Sequence, residues 1–324
     1  MGDAAQAGQV GPSGRPDGHR ARPRWKTALR FLPLALLAAV LWREKPWAVS
    51  LSTRAPWAVA GAILLNLVVF LPLKAARWRV ALYEPPPFRT VLAALLEGLL
   101  ANAAIGFGSG DLVRAARLRR DQAQLAVDYA CTWAERGAEA VAFAILILVA
   151  AVAAHLGRMV IGLAALAVVG YVVLLGAGRF LVPRLARWPR VQRALAAGLE
   201  ASTARRVTIM TALSLLGWAS EIGMLVLFQG AFHLGPSLRM ALLTLIGINA
   251  AIAIPTVPGN FGTFEAGATM ALVMCGAPRD VAVSYALIYH LTHVIPVAGI
   301  ATVVYLVRSS RRYRTTPAET SSGR

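Results

Sequence analysis

The chain has 324 residues, of which 57% are hydrophobic and 15% are charged, and its mean hydropathy is +0.60. Soluble domains carry about 25% charged residues, so the composition excludes an ordinary soluble protein and indicates a polytopic membrane protein. The net charge of +18 arises from basic residues in the tails and between apolar runs, with no recognisable nucleic-acid motif, so we expect no nucleic-acid partner.

The N-terminal 42 residues are predicted to form a tail followed by a first membrane span. Residues 1–27 are rich in Gly, Pro and Arg, which predicts a disordered basic cytoplasmic tail. The apolar run 31–42 is followed at once by Arg43-Glu44-Lys45 and by no small-residue cleavage site, so we interpret it as an uncleaved first span and not as a signal peptide. We expect a membrane domain over 28–308 and a second cytoplasmic tail over 309–324.

Further apolar runs are long enough to cross about 30 Å of hydrocarbon, which takes about 20 helical residues. They lie at about 56–73, 130–154, 158–178, 207–229 and 281–307. With run 31–42 they predict an all-α bundle with about six full spans. The two cysteines, Cys131 and Cys275, lie in or beside these helices and are interpreted as small buried hydrophobes, not as a disulfide or metal pair.

The basic segments predict the orientation, because short loops rich in Lys and Arg stay cytoplasmic. Both tails and the segments 74–89, 111–123 and 179–206 are basic. The apolar run 90–110 therefore lies between two cytoplasmic segments, which predicts a re-entrant hairpin and not a span. Its break falls in the glycine-rich segment 106–111. The prediction is a multi-pass cell-membrane protein with both termini in the cytoplasm.

A second interrupted stretch matches the first. Asn249-Ala-Ala-Ile repeats Asn102-Ala-Ala-Ile, and each precedes a glycine-rich turn and then an acid, Asp111 in the first and Glu265 in the second. We predict that 240–276 is also re-entrant and enters from the opposite side. Two opposed broken-helix hairpins resemble an inverted repeat, in which broken helices line a polar site near the midplane.

The segment 179–206 has two interpretations. Leucine, valine and tryptophan recur at helical spacing among many arginines, which favours an amphipathic helix at the membrane surface. A basic loop without a specific lipid role is the alternative.

Four motifs, in order along about 30–308, resemble those of the lysylphosphatidylglycerol synthase transmembrane-region family of flippase-like membrane proteins. They are Arg77-Trp78-Arg79, the run from Gly108 to Arg114, Glu135-Arg136-x-x-Glu139, and Pro255-Thr-Val-Pro-Gly-Asn-Phe-Gly-Thr-Phe-Glu265. Three positions depart from the family pattern: Asn260 replaces a frequent Gly, Glu139 an Asp, and His290 an Arg.

The resemblance implies a lipid translocase-like membrane domain. Some relatives are fused to a soluble aminoacyl transferase. Membrane segments fill the 324 residues of this chain, so we expect no lipid aminoacylation and no enzyme activity from it. The sequence contains no phosphate-binding P-loop, which disfavours ATP-driven pumping, and nothing that resembles a Ser-His-Asp array.

An ionisable group at the bilayer centre costs at least about 3 kcal/mol, so those kept there need partners or a cavity. Arg114 and Arg136 are predicted to bind a lipid phosphate, with Asp111, Glu135 and Glu265 as their partners when no lipid is bound. Backbone amides freed at Gly108–Gly110 and at Gly259–Gly262 would add an anion nest. The candidate site for the head group comprises Arg77, Arg79, Asp111, Arg114, Glu135, Arg136, Gly259, Gly262, Glu265 and His290.

Each of these residues also has a structural interpretation: Glu135 and Arg136 as an ion pair at a helix start, Glu265 as a helix cap, and the nearby Glu97 as a hydrogen-bond partner of a neighbouring helix. His290 and His293 share one face of the last helix. A hydrogen-bonded polar pair is favoured there over a metal site, since the sequence suggests no third ligand.

The leading hypothesis is a lipid translocator that uses no ATP and moves or binds an anionic lipid, such as a phospholipid or a polyprenyl-phosphate-linked lipid. One alternative is a membrane enzyme that modifies lipid head groups, with Glu265 or His290 as general base. Another is a scaffold or regulator that binds lipid without moving it. We expect membrane lipids as partners, with a second copy of the chain or a separate lipid-synthesising enzyme as protein partner, and no cofactor.

Overall fold

The computed structural model describes residues 38–39, 42–43, 49–106, 108–118, 122–153, 158–253 and 258–315. The predicted tail 1–27, most of the predicted span 31–42, residues 254–257 of the fourth motif and the tail residues 316–324 lie outside the described residues. Within the described ranges all the regular secondary structure is helical and there is no strand, which confirms the predicted all-α class.

Ten helices follow one another in the described ranges. They are α1 Ala55–Ala81, α2 Phe88–Ile105, α3 Ser109–Leu118, α4 Gln122–Ala153, α5 Arg158–Leu181, α6 Pro189–Ala201, α7 Ala204–Ala231, α8 Leu238–Ile252, α9 Thr263–Met274 and α10 Arg279–Thr315. A π-helical turn, Asn66–Phe70, interrupts α1, and Pro296 lies inside α10.

Among the described residues, five helices are long and apolar enough to cross a membrane. They are Ala55–Ala81, Phe88–Ile105, Val168–Leu185, Ala204–Ala231 and Arg279–Arg308. The predicted runs 56–73, 207–229 and 281–307 fall within these segments, and run 158–178 overlaps the third of them, so the polytopic bundle is confirmed. Run 130–154 falls in α4 up to Ala153, and the 32 residues of this helix are about 48 Å long at 1.5 Å per residue.

The predicted end of the second span at residue 73 was wrong. The helix continues to Ala81, and Arg77 is buried within it. The interpretation stopped the span at its first charged residue, Lys74. In a bundle, however, charged side chains are retained inside when they face partners on other helices.

The helices define two ends of the bundle. At one end, a buried cluster includes Ala81, Val91, Ala201 and Met210. At the other end, Ser52 donates its backbone N–H to the carbonyl of Ala231 at 2.9 Å, and the cluster there includes Ala55, Ala231, Ala277 and Ala282. Helices α1, α4, α5, α7 and α10 run between the two ends.

The two remaining helix pairs are hairpins that begin at opposite ends. The α2–α3 hairpin begins where α1 ends, and the α8–α9 hairpin begins where α7 ends. Their tips meet: a Cβ built on Gly259 would lie 3.6 Å from the carbonyl oxygen of Ala103. The opposed broken-helix hairpins agree with the prediction, although α2 alone has the length and composition of a span.

Each hairpin is closed by two glycines in backbone contact. A Cβ on Gly98 would lie 2.6 Å from the carbonyl oxygen of Gly110, and one on Gly247 would lie 2.7 Å from that of Gly267. No side chain fits between helices this close, so these positions require glycine.

The glycine pairs place the repeat in a different register from the sequence match. In the first hairpin, Asn102 lies four residues after Gly98, and its Cβ would be 3.0 Å from a Cβ built on Gly110. In the second, Ala251 lies four residues after Gly247, and its Cβ would be 2.8 Å from a Cβ built on Gly267. Ala251 is therefore the counterpart of Asn102, and the predicted pairing with Asn249 is wrong by two positions. The two acids are not at equivalent positions either, because Asp111 comes one residue after Gly110 whereas Glu265 comes two residues before Gly267.

The segment 189–201 is helical, which favours the amphipathic interpretation over a loop. Ala197 and Ala201 of α6 are buried in the same cluster as Cys131 of α4. Trp188 and Val191 are exposed, the former by 59%. The face of α6 turned away from the bundle is therefore apolar and flanked by arginines, as in helices at a membrane surface.

Single cysteines at 84, 190, 235 and 278, in a chain whose own two cysteines are replaced by alanine, are expected to label from two sides of the membrane. Positions 84 and 190 lie at one end of the bundle, and 235 and 278 at the other. Impermeant maleimide applied to intact cells should label only 235 and 278, with 84 and 190 labelled after permeabilisation. Position 121, also predicted cytoplasmic, lies outside the described residues. Labelling of all four from one side would contradict the arrangement.

Candidate functional site

The centre of the first site is Glu135 of α4, whose side chain is fully buried between two arginines. Arg77 of α1 donates from Nε to Glu135 Oε1 at 2.8 Å, and Arg114 of α3 donates from Nη2 to Oε2 at 2.7 Å. Arg77 also donates to Ser214 of α7 at 3.0 Å. Side chains from α1, α3, α4 and α7 are thus linked through the Glu135 carboxylate and the two arginines that bind it.

Two more carboxylates extend this cluster towards the tip of the first hairpin. Asp111 accepts from Arg136 at 2.9 Å and lies 3.0 Å from Arg114 Nη2. Glu139 lies 2.9 Å from both Arg77 Nη2 and Arg136 Nη1. We call these six residues, Arg77, Asp111, Arg114, Glu135, Arg136 and Glu139, the charge network.

The charge network is neutral as a whole, with three guanidinium groups and three carboxylates. Arg114 also lies over the Trp78 ring, 4.6 Å from its centroid, and Trp78 donates to Thr132 at 3.1 Å. Pairing at these distances offsets the cost of placing the charges inside a membrane protein.

Of the predicted partners of Arg114 and Arg136, Asp111 and Glu135 contact these arginines. The third, Glu265, contacts neither arginine and bonds to His290 instead, so that pairing was wrong.

A second group of predicted residues lies at the tip of the second hairpin. Glu265 Oε2 accepts from the backbone N–H of Gly262 at 2.7 Å, and Glu265 Oε1 lies 2.9 Å from His290 Nδ1. His290 stacks on Phe264 with ring centroids 4.1 Å apart. Glu265 therefore caps α9, as its structural interpretation predicted, and joins α9 to α10. Because the Gly262 amide is occupied, it is not free for the predicted anion nest.

The neighbouring histidine has its own carboxylate. His293 Nε2 lies 3.4 Å from Glu221 Oε1 of α7, and Tyr289 donates to the same oxygen at 2.8 Å. In the described part of the chain no three His, Cys, Asp or Glu side chains are grouped so that they would hold a metal ion. His290 and His293 thus form two separate carboxylate–imidazole pairs along one helix.

A cavity of about 220 Å³ lies where the hairpin tips meet α1 and α10, and we call it the central cavity. Its polar lining comprises Asn66, Lys74, Asn102, Asn260, His290 and His293. Its apolar lining includes Phe70, Leu99, Leu100, Phe264, Val294 and Val297. Such a mixed lining suits a molecule that has a polar and an apolar part.

Lys74 and Asn102 connect the central cavity to the charge network. Both line the central cavity and also a smaller space of about 50 Å³ beside Asp111, Arg114 and Arg136. Sequence reasoning did not select Lys74, since it was counted as part of a basic loop. A usable signal was its position three residues before Arg77, which places both on nearly the same face if the helix continues.

Arg79 lies apart from both groups. Its side chain is exposed at the end of α1 and donates to the carbonyl of Pro86 at 3.1 Å. Glu97, in contrast, pairs with Arg117 and Arg308, so it joins the first hairpin to α10 as its structural interpretation predicted.

A family model described as the lysylphosphatidylglycerol synthase TM region matches residues 29–301. The chain belongs to this family. Comparison with curated proteins and with solved structures gave no match. The match to the lysylphosphatidylglycerol synthase TM region confirms the resemblance drawn from the four motifs and indicates a membrane lipid-related protein.

The geometry explains two departures from the family motifs. Asn260 has a φ of +58°, a left-handed conformation that Asn tolerates better than most residues and that Gly adopts freely. His290 bonds to Glu265 at 2.9 Å, so the motif carboxylate has a partner although the resemblance leads one to expect an arginine at position 290.

Proposed function

We propose that this protein binds an anionic membrane lipid and carries its head group across the bilayer without hydrolysing ATP. The observation that carries the proposal is the central cavity, where the tips of two opposed hairpins enclose polar side chains beside an apolar lining. A head group held there is shielded from hydrocarbon. Its acyl chains remain beside the apolar lining or in the surrounding lipid.

The charge network gives the site a fixed framework. Its arginines are held by carboxylates on α3 and α4 at 2.7–3.0 Å, so the first hairpin is tied to α4. A lipid phosphate that reaches Arg114 would replace one carboxylate contact by another anionic contact. Such an exchange keeps the arginine paired, which lowers the cost of moving a charge at this depth.

Two long helices are irregular at the level of the cavity, which provides places to bend. Asn66 and Phe70, in the π-helical turn of α1, line the cavity. Pro296 of α10 lies between the lining residues Val294 and Val297. Proline and π-turns are the usual causes of helix kinks, and π-turns are frequent at functional sites. Bending at these points would open the cavity towards one end and then towards the other.

Filling the cavity is expected to stop lipid movement. Ala298 lines it, so Ala298→Trp places an indole where the head group would pass. Proteoliposomes containing acyl-NBD-phosphatidylglycerol, with dithionite added outside, report how fast the probe crosses. We expect the wild type to exceed empty vesicles and Ala298→Trp to lower that excess at least about tenfold.

The matched control is Ala266→Trp, because Ala266 is exposed on α9 and the same bulk there enters no cavity. It should move the probe at the wild-type rate. The proposal fails if wild-type vesicles are no faster than empty ones, or if the two tryptophan variants behave alike.

The carboxylate–imidazole pair of Glu265 and His290 at the cavity wall is the observation that favours the alternative, a head-group-modifying enzyme. His290 lines the cavity, and Glu265 holds it at 2.9 Å, an arrangement suited to proton transfer. Mass spectrometry of lipids extracted from the same vesicles separates the two functions. Translocation leaves every lipid species unchanged in amount, and modification creates a new one.

A further inference from the structure

Glu221 of α7 and His293 of α10 form a carboxylate–imidazole pair inside two membrane-crossing helices. His293 Nε2 lies 3.4 Å from Glu221 Oε1, and Tyr289 donates its hydroxyl to the same oxygen at 2.8 Å. His293 lines the central cavity, whereas Glu221 is buried behind it and only 7% exposed. Ionisable side chains are costly at this depth, and in pumps and transporters Asp, Glu and His at such positions carry protons.

The backbone determines which ring nitrogen of His293 can gain or lose a proton. Nδ1 lies 3.0 Å from the carbonyl oxygen of Tyr289, which can only accept, so Nδ1 keeps its hydrogen. Nε2 is buried and has no hydrogen-bond partner among the described residues. It faces the carboxylate of Glu221 at a distance longer than the roughly 2.7–3.2 Å of an N–H···O bond. The space between Nε2 and Oε1 can therefore hold one additional proton or none.

The pair of Glu265 and His290 does not need an additional proton. Glu265 accepts from the backbone N–H of Gly262 at 2.7 Å, and its other oxygen lies 2.9 Å from His290 Nδ1. A neutral His290 with its hydrogen on Nδ1 therefore satisfies this carboxylate. In the Glu221–His293 pair, by contrast, Nε2 and Oε1 are bonded to each other only when a proton lies between them.

The helices packed against the pair contribute few other titratable groups. Lys74 of α1 lines the same cavity, and α8 has no charged residue over 240–252. On α4, α9 and α2 the acids near the bundle interior are bonded to partners, namely those of the charge network, Glu265 and Glu97. An anion in the cavity therefore meets Lys74 and the Glu221–His293 pair.

An anionic head group in the cavity favours the protonated form of the pair. Without the additional proton the pair has a net negative charge, and with it the pair is neutral, so a neighbouring anion repels only the unprotonated form. The effect is reciprocal, because a ligand that favours proton binding is itself bound more tightly when the proton is present.

We infer that the Glu221–His293 pair is a proton-binding site that is loaded together with an anionic lipid, so that a proton crosses with the head group. The proton is taken up between Nε2 and Oε1 from the more acidic side and is released on the other side. The crossing rests on the proposed function, but the binding of a proton together with the lipid does not require movement.

Proteoliposomes with acyl-NBD-phosphatidylglycerol test whether a pH gradient drives the lipid. Dithionite first bleaches the outer leaflet and is removed, and a second addition in alkaline buffer reports how much probe has moved outward. Valinomycin with equal potassium on both sides abolishes the membrane potential. With an acidic lumen and an alkaline exterior, we expect outward movement, after subtraction of empty vesicles, to be at least about fivefold faster than with both sides acidic or both alkaline.

Glu221→Gln should reduce this ratio to about one, because the amide still accepts from Tyr289 but cannot exchange a proton with His293. His293→Asn provides a second reading if Glu221→Gln does not fold, since its amide can donate to the Tyr289 carbonyl but has no Nε2. The matched control is His233→Asn, at an exposed histidine with a φ of +57°, a conformation that Asn tolerates. It should keep the wild-type ratio.

Proton binding is measured separately from movement. The purified full-length chain in weakly buffered detergent, with a pH indicator, should take up as much as about one proton per chain when unlabelled phosphatidylglycerol is added at matched pH. Glu221→Gln should take up much less.

The two measurements separate this inference from the proposed function. Movement that does not respond to the gradient would refute the shared crossing, and a response that survives in Glu221→Gln and His293→Asn would refute the assignment to this pair. Absence of proton uptake would overturn the proton site. Proton uptake without any movement of the probe would leave the proton site standing and refute the proposed translocation.

Discussion

Glu135→Ala is expected to leave little folded protein after extraction into detergent. The substitution removes the carboxylate that pairs with both Arg77 and Arg114, at 2.8 and 2.7 Å, while both guanidinium groups remain buried. Removing one partner of a buried ion pair costs about 3–5 kcal/mol, a large part of the 5–15 kcal/mol that holds a typical protein folded. Size-exclusion chromatography after a series of heating steps measures the loss as a lower midpoint temperature.

The matched control is Glu200→Ala, because Glu200 is exposed on α6 and its loss should change the midpoint little. A double variant, Glu135→Leu with Arg114→Met, removes one charge of each sign and leaves Arg77 paired with Glu139 at 2.9 Å. It should recover part of the stability, since replacing a buried pair by apolar residues of similar volume is often neutral. Equal midpoints for Glu135→Ala and Glu200→Ala would show that the network does not stabilise the fold.

Hydropathy and glycine positions were sufficient to predict the architecture. Runs of about 20 apolar residues predicted the helices between the two ends, because the thickness of the hydrocarbon sets their length. The breaks before Asp111 and before Glu265 predicted the hairpins, because several residues there have positive φ, among them Gly106, Gly108, Gly259 and Gly262. The length of an apolar run and the position of a glycine are local properties that can be read from the sequence.

Properties that depend on packing between distant segments were not predicted. The match of Asn249-Ala-Ala-Ile to Asn102-Ala-Ala-Ile placed the repeat two residues out of register. The register of the second hairpin is set by the backbone contact of Gly247 with Gly267, and the residues next to them in the sequence do not reveal this contact. Lys74 was counted with a loop because the span was taken to end at residue 73, so its position three residues before Arg77 on the same helix was not used. Ser214, which accepts from Arg77 at 3.0 Å, was missed since it lies 137 residues away along the chain.

The charge count used for orientation also included residues that face inward. Arg77 and Arg114 are buried in the charge network, so they do not contribute positive charge at the surface. The exposed or partly exposed Arg79, Arg89 and Arg117 still place positive charge at that end of the bundle. The predicted orientation therefore rests on fewer arginines than the sequence suggested, and the cysteine-labelling experiment tests it.

Gly98→Ala and Gly247→Ala are expected to abolish lipid movement and to lower stability, each by opening one hairpin. The added Cβ would lie 2.6 Å from the Gly110 carbonyl oxygen in the first case and 2.7 Å from the Gly267 carbonyl oxygen in the second. Since both obstacles are backbone, the paired helices must separate, and overpacking of this kind costs about 1–3 kcal/mol. The dithionite assay and the heating series measure the two effects.

The first variant should also weaken the charge network, because the Cβ on Gly98 would lie 3.0 Å from Cβ of Arg114 and would push that arginine away from Glu135. Gly170→Ala is the matched control. A Cβ on this exposed glycine of α5 meets nothing within 4 Å, so alanine should keep transport and stabilise the helix by up to about 1 kcal/mol. If Gly98→Ala and Gly170→Ala transport equally well, the tight hairpin is not required for the site. If Gly98→Ala loses transport but keeps its midpoint temperature, the backbone contact serves movement of the hairpin and contributes little to folding.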